Sequence, residues 1–171
     1  MTGTPVHIDA AVRCGIGVDL PDGTALGLLL PPGDVAELIH NARVSAVPNA
    51  RSWFVGLINR RGNLVPVFDL LHYFGLAPRA THRNALVVGN GSAAFALPVS
   101  LEPQILQSDV IAGDGTAAAA PAAIADFVAA ARVHRGRCWC DFRFDLWLAQ
   151  LAAGAIRPNP THPTRLAEKT A

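Results

Sequence analysis

The sequence predicts a mainly β fold arranged as two similar small subdomains with a few short helices. Two observations carry this expectation. Short apolar, β-prone runs follow one another closely, separated by Gly, Pro and Asn turn signals, with few long helical patterns between them. A unit of strand, Arg-Gly turn, strand and short helix also occurs twice, as LINRRGNLVPVFDLLHYFGL and again as AARVHRGRCWCDFRFDLWLAQLAAG. Arg61-Gly62 aligns with Arg135-Gly136 and Asp69-Leu70 with Asp145-Leu146, although the Gly-to-Asp spacing differs by two residues.

In chain order, residues 1–10 read as a frayed start. Val12–Val18 reads as a strand closed by the turn Pro21-Asp22-Gly23, and Ala25–Leu30 as a second run ended by Pro31-Pro32-Gly33. Asp34–Ile39 suits a helical turn or a strand equally. Val55–Arg60 and Leu64–Phe68 form a hairpin, for which Gly62-Asn63 suits the tight turn, and Pro66 predicts an edge strand because proline lacks a ladder donor. Asp69 is placed as the N-cap of a short helix that stops at Gly75. A second hairpin, Ala85–Val88 with Ala93–Val99, is expected through Gly89-Asn90-Gly91. Leu101–Ile111 is β-prone but broken at Pro103, and the Ala/Gly-rich stretch 113–123 reads as a loop or weak helix. The second copy of the repeated unit follows, with Asp145 as its cap, and 155–171 reads as a flexible tail. The domain is thus expected over 12–154, with subdomains at about 12–82 and 83–154.

Of the 171 residues 51% are hydrophobic and 16% charged, which suits a packed core rather than a disordered chain. A net charge of +1 gives no broad electrostatic footprint for nucleic acid. No secretory signal is visible and no run reaches the roughly 18 apolar residues of a membrane span, so a cytoplasmic location without membrane insertion is expected.

Nothing assembles a catalytic constellation, and no cofactor or metal is expected. The six histidines, at 7, 40, 72, 82, 134 and 162, show no paired spacing, and Gly89-Asn90-Gly91 is too short for a phosphate loop. Cys138 and Cys140 share a strand face, but with only Cys14 remaining they read as small buried hydrophobes. Asn59 is expected to bond backbone at the turn. The contiguous Leu64, Val65, Val67 and Phe68 are consistent with a strand that buries both faces or presents one of them.

Val47-Pro48-Asn49-Ala50 and the run Gly56 to Leu70 resemble the CheW-like family of chemotaxis adaptors, whose pattern is V-P-G-x-P followed by G-h-x-N-h-R-G-x-h-h-P-h-h-D-h, h being apolar. Gly56, Asn59, Arg61-Gly62, Pro66 and Asp69-Leu70 stand at the matching spacing, and the variation is most similar to adaptors of pilus-linked (twitching-motility) chemosensory systems. The chain departs from the pattern at Asn49 and at Arg60, which puts a charge where the family has an apolar residue and is expected to add it to the contact surface. The resemblance implies two SH3-like β-barrel subdomains and a non-enzymatic scaffold that couples the cytoplasmic tip of a chemoreceptor to a CheA-type histidine kinase. It implies partner contacts at Val35, Glu37, Gly56, Arg60, Arg61, Gly62 and Val65. The competing reading is a small β-barrel nucleic-acid binder using Trp53-Phe54 near Arg60–Arg61 and Trp139 near Arg137.

Overall fold

A computed structural model describes residues 12–81, 83–107, 116–117 and 119–154. The expected frayed start and the tail lie outside these residues, as do residues 113–115 and 118 of the Ala/Gly-rich stretch, in which Thr116–Ala117 form a short strand rather than a loop or weak helix. The strands are β1 (Val12–Asp19), β2 (Ala25–Leu29), β3 (Ala36–Ile39), β4 (Phe54–Arg60), β5 (Asn63–Phe68), β6 (Asn84–Val88), β7 (Phe95–Val99), β8 (Gln104–Gln107), β9 (Thr116–Ala117), β10 (Val128–His134) and β11 (Arg137–Phe142). Two helices accompany them, α1 (Leu70–Tyr73) and α2 (Phe144–Ala152). The mainly β expectation is met, and the ambiguous segment before Ile39 is a strand.

The strands form a six-stranded sheet, β8-β1-β2-β11-β10-β9, and a five-stranded sheet, β3-β6-β7-β5-β4. The first sheet therefore takes strands from both ends of the described chain, β11 running parallel to β2 with Leu28 opposite Cys140. The second is one continuous stretch from β3 to β7, and the division expected near residues 82 and 83 falls inside it, between β5 and β6. Neither sheet closes into a barrel by its strand ladders. In the five-stranded sheet, however, the chain after β3 bonds the far edge, Ser45 N–H to Leu57 O at 2.8 Å and Leu57 N–H to Ser45 O at 2.9 Å.

Two turns and one strand differ from the sequence reading. The β4–β5 turn is Arg61-Gly62, because Asn63 already pairs with Arg60. Both turn residues have positive φ (+52° and +88°), as do Arg135 and Gly136 (+50° and +75°) in the β10–β11 turn, the φ pattern of a type I′ hairpin. β6 and β7 are joined by a longer loop containing a 3₁₀ turn at Gly91–Ala93, not by a tight Asn-Gly turn. β5 is an interior strand despite Pro66. Counting from the closing pair Arg60–Asn63, the Leu57–Pro66 pair is of the non-hydrogen-bonded kind, so the missing donor faces β7, which β5 meets at Val67–Ala96.

The main core lies between the sheets. Leu26, Leu28 and Leu30 face Leu86, Val88, Phe95 and Leu97, and α1 and α2 seal one side with Tyr73, Phe74 and Trp147. Trp147 is fully buried among Phe68, Tyr73, Phe142 and Phe144 at centroid separations of 5.8–6.4 Å, so α2 is pinned by ring edges from β5, α1 and β11. On its other face the five-stranded sheet curls round a small core of Ile58, Val65, Val67, Ala85, Val87, Ala94 and Ala96.

The outer face of the six-stranded sheet is filled differently. Cys138 and Cys140 point to the main core, so Trp139 between them points away from it, yet it is only 2% exposed. Its ring lies against Gly27, its register partner, and Gly15, where a Cβ on either glycine would overlap the ring. Two strand positions to either side, Asp141 binds Arg13 at 2.7 Å and Arg137 binds Asp19 at 2.9 Å. Trp139 thus occupies space that two glycines leave open, which removes it as a stacking platform for nucleic acid. Trp139→Ala is expected to cost about 3–5 kcal/mol of unfolding free energy, measured by urea denaturation; a loss under about 1 kcal/mol would mean the ring is not supporting the sheet.

Candidate functional site

The site implied by the resemblance is the β4–β5 hairpin and the chain packed against it. β4 carries a bulge at its start, where the pairing shifts between Phe54 and Gly56. Gly56 has φ +146°, and a Cβ there would run into the carbonyl oxygen of Ser45. Glycine at 56 is therefore what permits the Ser45–Leu57 bridge to close the sheet, and its role is to shape the site from within. At the tip, the Asn59 side chain accepts from Gly62 N–H at 2.9 Å, as expected of a turn-stabilising residue.

Beneath the hairpin sits a carboxylate. Glu37 on β3 is 7% exposed, and Arg60 on β4 donates Nε–H to its Oε2 at 2.7 Å. The Arg60 Nη2 approaches the same oxygen at 2.5 Å, with 14% of the arginine side chain exposed. Because β3 and β4 are the two edge strands of this sheet, the ion pair joins opposite edges, as the Ser45–Leu57 bridge does. Arg60 is thus turned inward, which corrects the expectation that it adds charge to the contact surface. An aliphatic residue at position 60 would leave the buried Glu37 carboxylate without this partner.

Arg61 is the outward member of the pair. Its side chain is 63% exposed, and its Nη2 stands 3.9 Å from Glu37 Oε1, beyond hydrogen-bond range. The other implied residues divide accordingly. Gly62 is exposed at the tip, and Val35 is half-buried just before β3, its carbonyl accepting from Gly89 N–H at 2.9 Å. Val65 is 1% exposed inside the small core and offers no surface to a partner. Its neighbour Leu64, 67% exposed, is the apolar side chain that the hairpin presents to solvent. Alternation along β5 carries that signal: with Val65 and Val67 inward, Leu64 must face out.

Elsewhere the polar groups are structural. Asp69 is 3% exposed and caps α1, accepting from His72 N–H at 3.1 Å and from Ala80 N–H at 2.6 Å. Asp145, expected to be its counterpart, lies within the first turn of α2 and pairs with Arg143, the actual N-cap position. Among the described residues no His/Cys/Asp/Glu group is arranged to hold a metal ion, and no helix is long and apolar enough to cross a membrane. The Cys138 and Cys140 sulfurs are 4.0 Å apart. Burial pushes the Cys14 thiol up to about 11, and burial, with added repulsion and hydrogen bonding from Cys138, pushes Cys140 up to about 12.

Two outcomes follow from this geometry. Glu37→Gln leaves the Arg60 guanidinium largely buried without its anion and is expected to cost about 3 kcal/mol in chemical denaturation, whereas Arg61→Ala should leave the unfolding midpoint nearly unchanged. The thiols set an alkaline limit. Unfolded cysteines ionise near about 8.5, while Cys14 and Cys140 stay protonated in the fold to about 11 and 12. Their contribution is therefore complete below pH ~8.5 and is lost as pH rises towards those values. The urea midpoint should fall between pH 8 and 10.5, and a Cys14→Ala/Cys140→Ala variant should show a shallower fall.

Comparison with known proteins agrees with this architecture. A curated relative, Protein PilI of Pseudomonas aeruginosa, is 38% identical over 60 residues, an alignment that spans 34% of this chain and 34% of that protein. The crystal structure of the scaffolding protein TtCheW from Thermoanaerobacter tengcongensis superposes with a TM-score of 0.55 at 19% identity, covering 76% of this chain and 88% of that one. Residues 15–140, which take in the five-stranded sheet, the whole hairpin site and most of the six-stranded sheet, match the family described as CheW-like domain, and the chain belongs to that family.

Proposed function

We propose that this chain is a non-enzymatic cytoplasmic adaptor that couples the cytoplasmic tip of chemoreceptors to a CheA-type histidine kinase, in a chemosensory system linked to pilus-based motility. The observation that carries the reading is the hairpin: a rigid type I′ turn that presents Arg61, 63% exposed, above a base closed by Glu37 and Arg60. A guanidinium so placed can make forked hydrogen bonds to carboxylates or to the carbonyls at a helix end. Leu64 beside it supplies the apolar contact that such an interface needs. Family membership and the similarity to Protein PilI and to the TtCheW scaffold support the adaptor class and its pilus-linked form. In this reading Val35, Arg61, Gly62 and Leu64 form the contact surface, with the receptor tip held near the hairpin and the kinase regulatory domain docked on one of the two sheet units. Glu37, Gly56, Arg60 and Val65 hold that surface in shape.

The test is binding by Arg61→Glu, with Arg61→Ala as the variant that adds no charge beside Glu37. Both should fold with circular dichroism like the parent chain, and binding to the receptor fragment or to the kinase regulatory domain should weaken at least about tenfold, a loss of about 1.4 kcal/mol. Folded variants that bind both partners like the parent would reduce the Arg-Gly pair to a turn.

A further inference from the structure

Two thiols converge on the core side of β11. Cys138 and Cys140 occupy alternate positions of the strand, so both side chains point the same way, and their sulfurs stand 4.0 Å apart. The register sets Cys138 opposite Leu26 and Val133, and Cys140 opposite Leu28 and Ala131. The third cysteine, Cys14, lies on β1 with β2 between it and β11, which leaves the two as partners for each other.

Their access to solvent differs. Cys140 is fully buried. Cys138 is half-buried at the rim of the core, paired with Val133, which is 41% exposed, and its sulfur is directed at the carbonyl of the exposed Ala119 at 4.0 Å. An oxidant in water therefore reaches Cys138 first. Burial also holds the Cys140 thiol protonated up to about 12, which disfavours it as the attacking sulfur.

Strand geometry sets how well a bond between them fits. A rise of about 3.3 Å per residue puts the Cα atoms of alternate positions about 6.6 Å apart. Disulfides span Cα separations up to about 6.8 Å, so the bond is attainable but lies near the end of the range. Strained and accessible disulfides are the readily reduced ones.

We propose that Cys138 and Cys140 form a reversible oxidation site, at which hydrogen peroxide converts the pair to a disulfide within β11. The Cys138 thiolate attacks one peroxide oxygen and the O–O bond breaks. The released hydroxide takes up the proton that the thiol has given up, leaving Cys138 sulfenic acid and water. The Cys140 sulfur then attacks the Cys138 sulfur, the S–O bond breaks, and the Cys140 proton leaves with the hydroxyl as a second water. Two sulfurs together lose two electrons, and one peroxide is reduced to two waters. The site belongs to the six-stranded sheet, and the adaptor reading is not required for it.

The experiment treats the folded full chain with hydrogen peroxide, then unfolds it, alkylates it with iodoacetamide and maps the peptides by mass. The peptide carrying both residues is expected to lose two hydrogens and both alkylation sites, while Cys14 is still alkylated. Glutathione added to the folded, oxidised chain should restore both thiols. In Cys140→Ser, dimedone should trap a sulfenic acid on Cys138, whereas in Cys138→Ser labelling of Cys140 should be at least about tenfold lower. Both variants are compared with the parent chain by circular dichroism. If both thiols remain alkylatable under peroxide that oxidises free glutathione, the proposal fails. It fails equally if the bond joins Cys14 or a second chain, or if Cys138 passes to sulfinic acid without bonding Cys140. Equal dimedone labelling of the two folded variants overturns the assigned roles, and a bond that resists glutathione in the folded chain overturns reversibility.

Discussion

The five-stranded sheet has to be held together at its two edges, and most of what the molecule displays depends on how that is done. β3 and β4 lie at opposite ends of the strand order. They are joined by an ion pair that buries Glu37 under Arg60, and the chain following β3 is bridged to β4 at Ser45–Leu57, a contact that only a glycine at 56 allows. One contact is a pair of backbone hydrogen bonds and the other an ion pair, yet both act on the same hairpin. The turn above inherits its position from them. An exposed arginine on a mobile loop would lose much of its binding energy to ordering, whereas one on a fixed turn loses less.

The two halves meet the same packing requirement by different means. The five-stranded sheet fills its concave face with aliphatic side chains of moderate size, Val65, Val67, Val87 and Ala96 among them. In the six-stranded sheet a single indole takes that place, over Gly15 and Gly27. Arg13 and Arg137 bond backbone carbonyls of Leu30, Val18 and Leu26 around it, so the strand ends near the tryptophan are satisfied by guanidinium donors. The first arrangement spreads its stability over many contacts, and the second concentrates it in one residue.

Most of the strands, the Asp69 cap and the Asn59 turn bond were readable from the chain because each depends on neighbours within a few residues. What escaped was decided at long range. The partner of Arg60 lies 23 residues away on a strand too short to assign, so its charge read as surface. Pro66 signalled an edge because the proline rule assumes a full ladder on both sides, and the single meeting point with β7 removes that condition. Asp145 copied the spacing of a cap without its geometry, since the helix starts two residues earlier than the repeat implied. Gly15 and Gly27 drew no reading in the sequence, because the Trp139 ring that fills the space they leave comes from β11, far along the chain. At the hairpin, the Arg61-Gly62 pair was legible from the motif as its turn, the exposure of Leu64 only from alternation, and the inward turn of Arg60 from neither.

The interleaving of the first sheet bears on the order in which the chain acquires structure. β4 with β5 and β6 with β7 are neighbours in the chain and can pair as soon as they exist, at little cost in loop entropy, and β3 finds its partner β6 within the same continuous stretch. β2, by contrast, has to wait for β11, with Leu28 finding Cys140 across the whole intervening stretch. Contacts of such separation slow folding. During synthesis β1 and β2 leave the ribosome early with Leu26, Leu28 and Leu29 uncovered, and they become aggregation-prone edges until the last strand arrives. The parallel β2–β11 seam is therefore the step that commits the molecule, and substitutions there should act first on yield and folding time, and only secondarily on the finished surface.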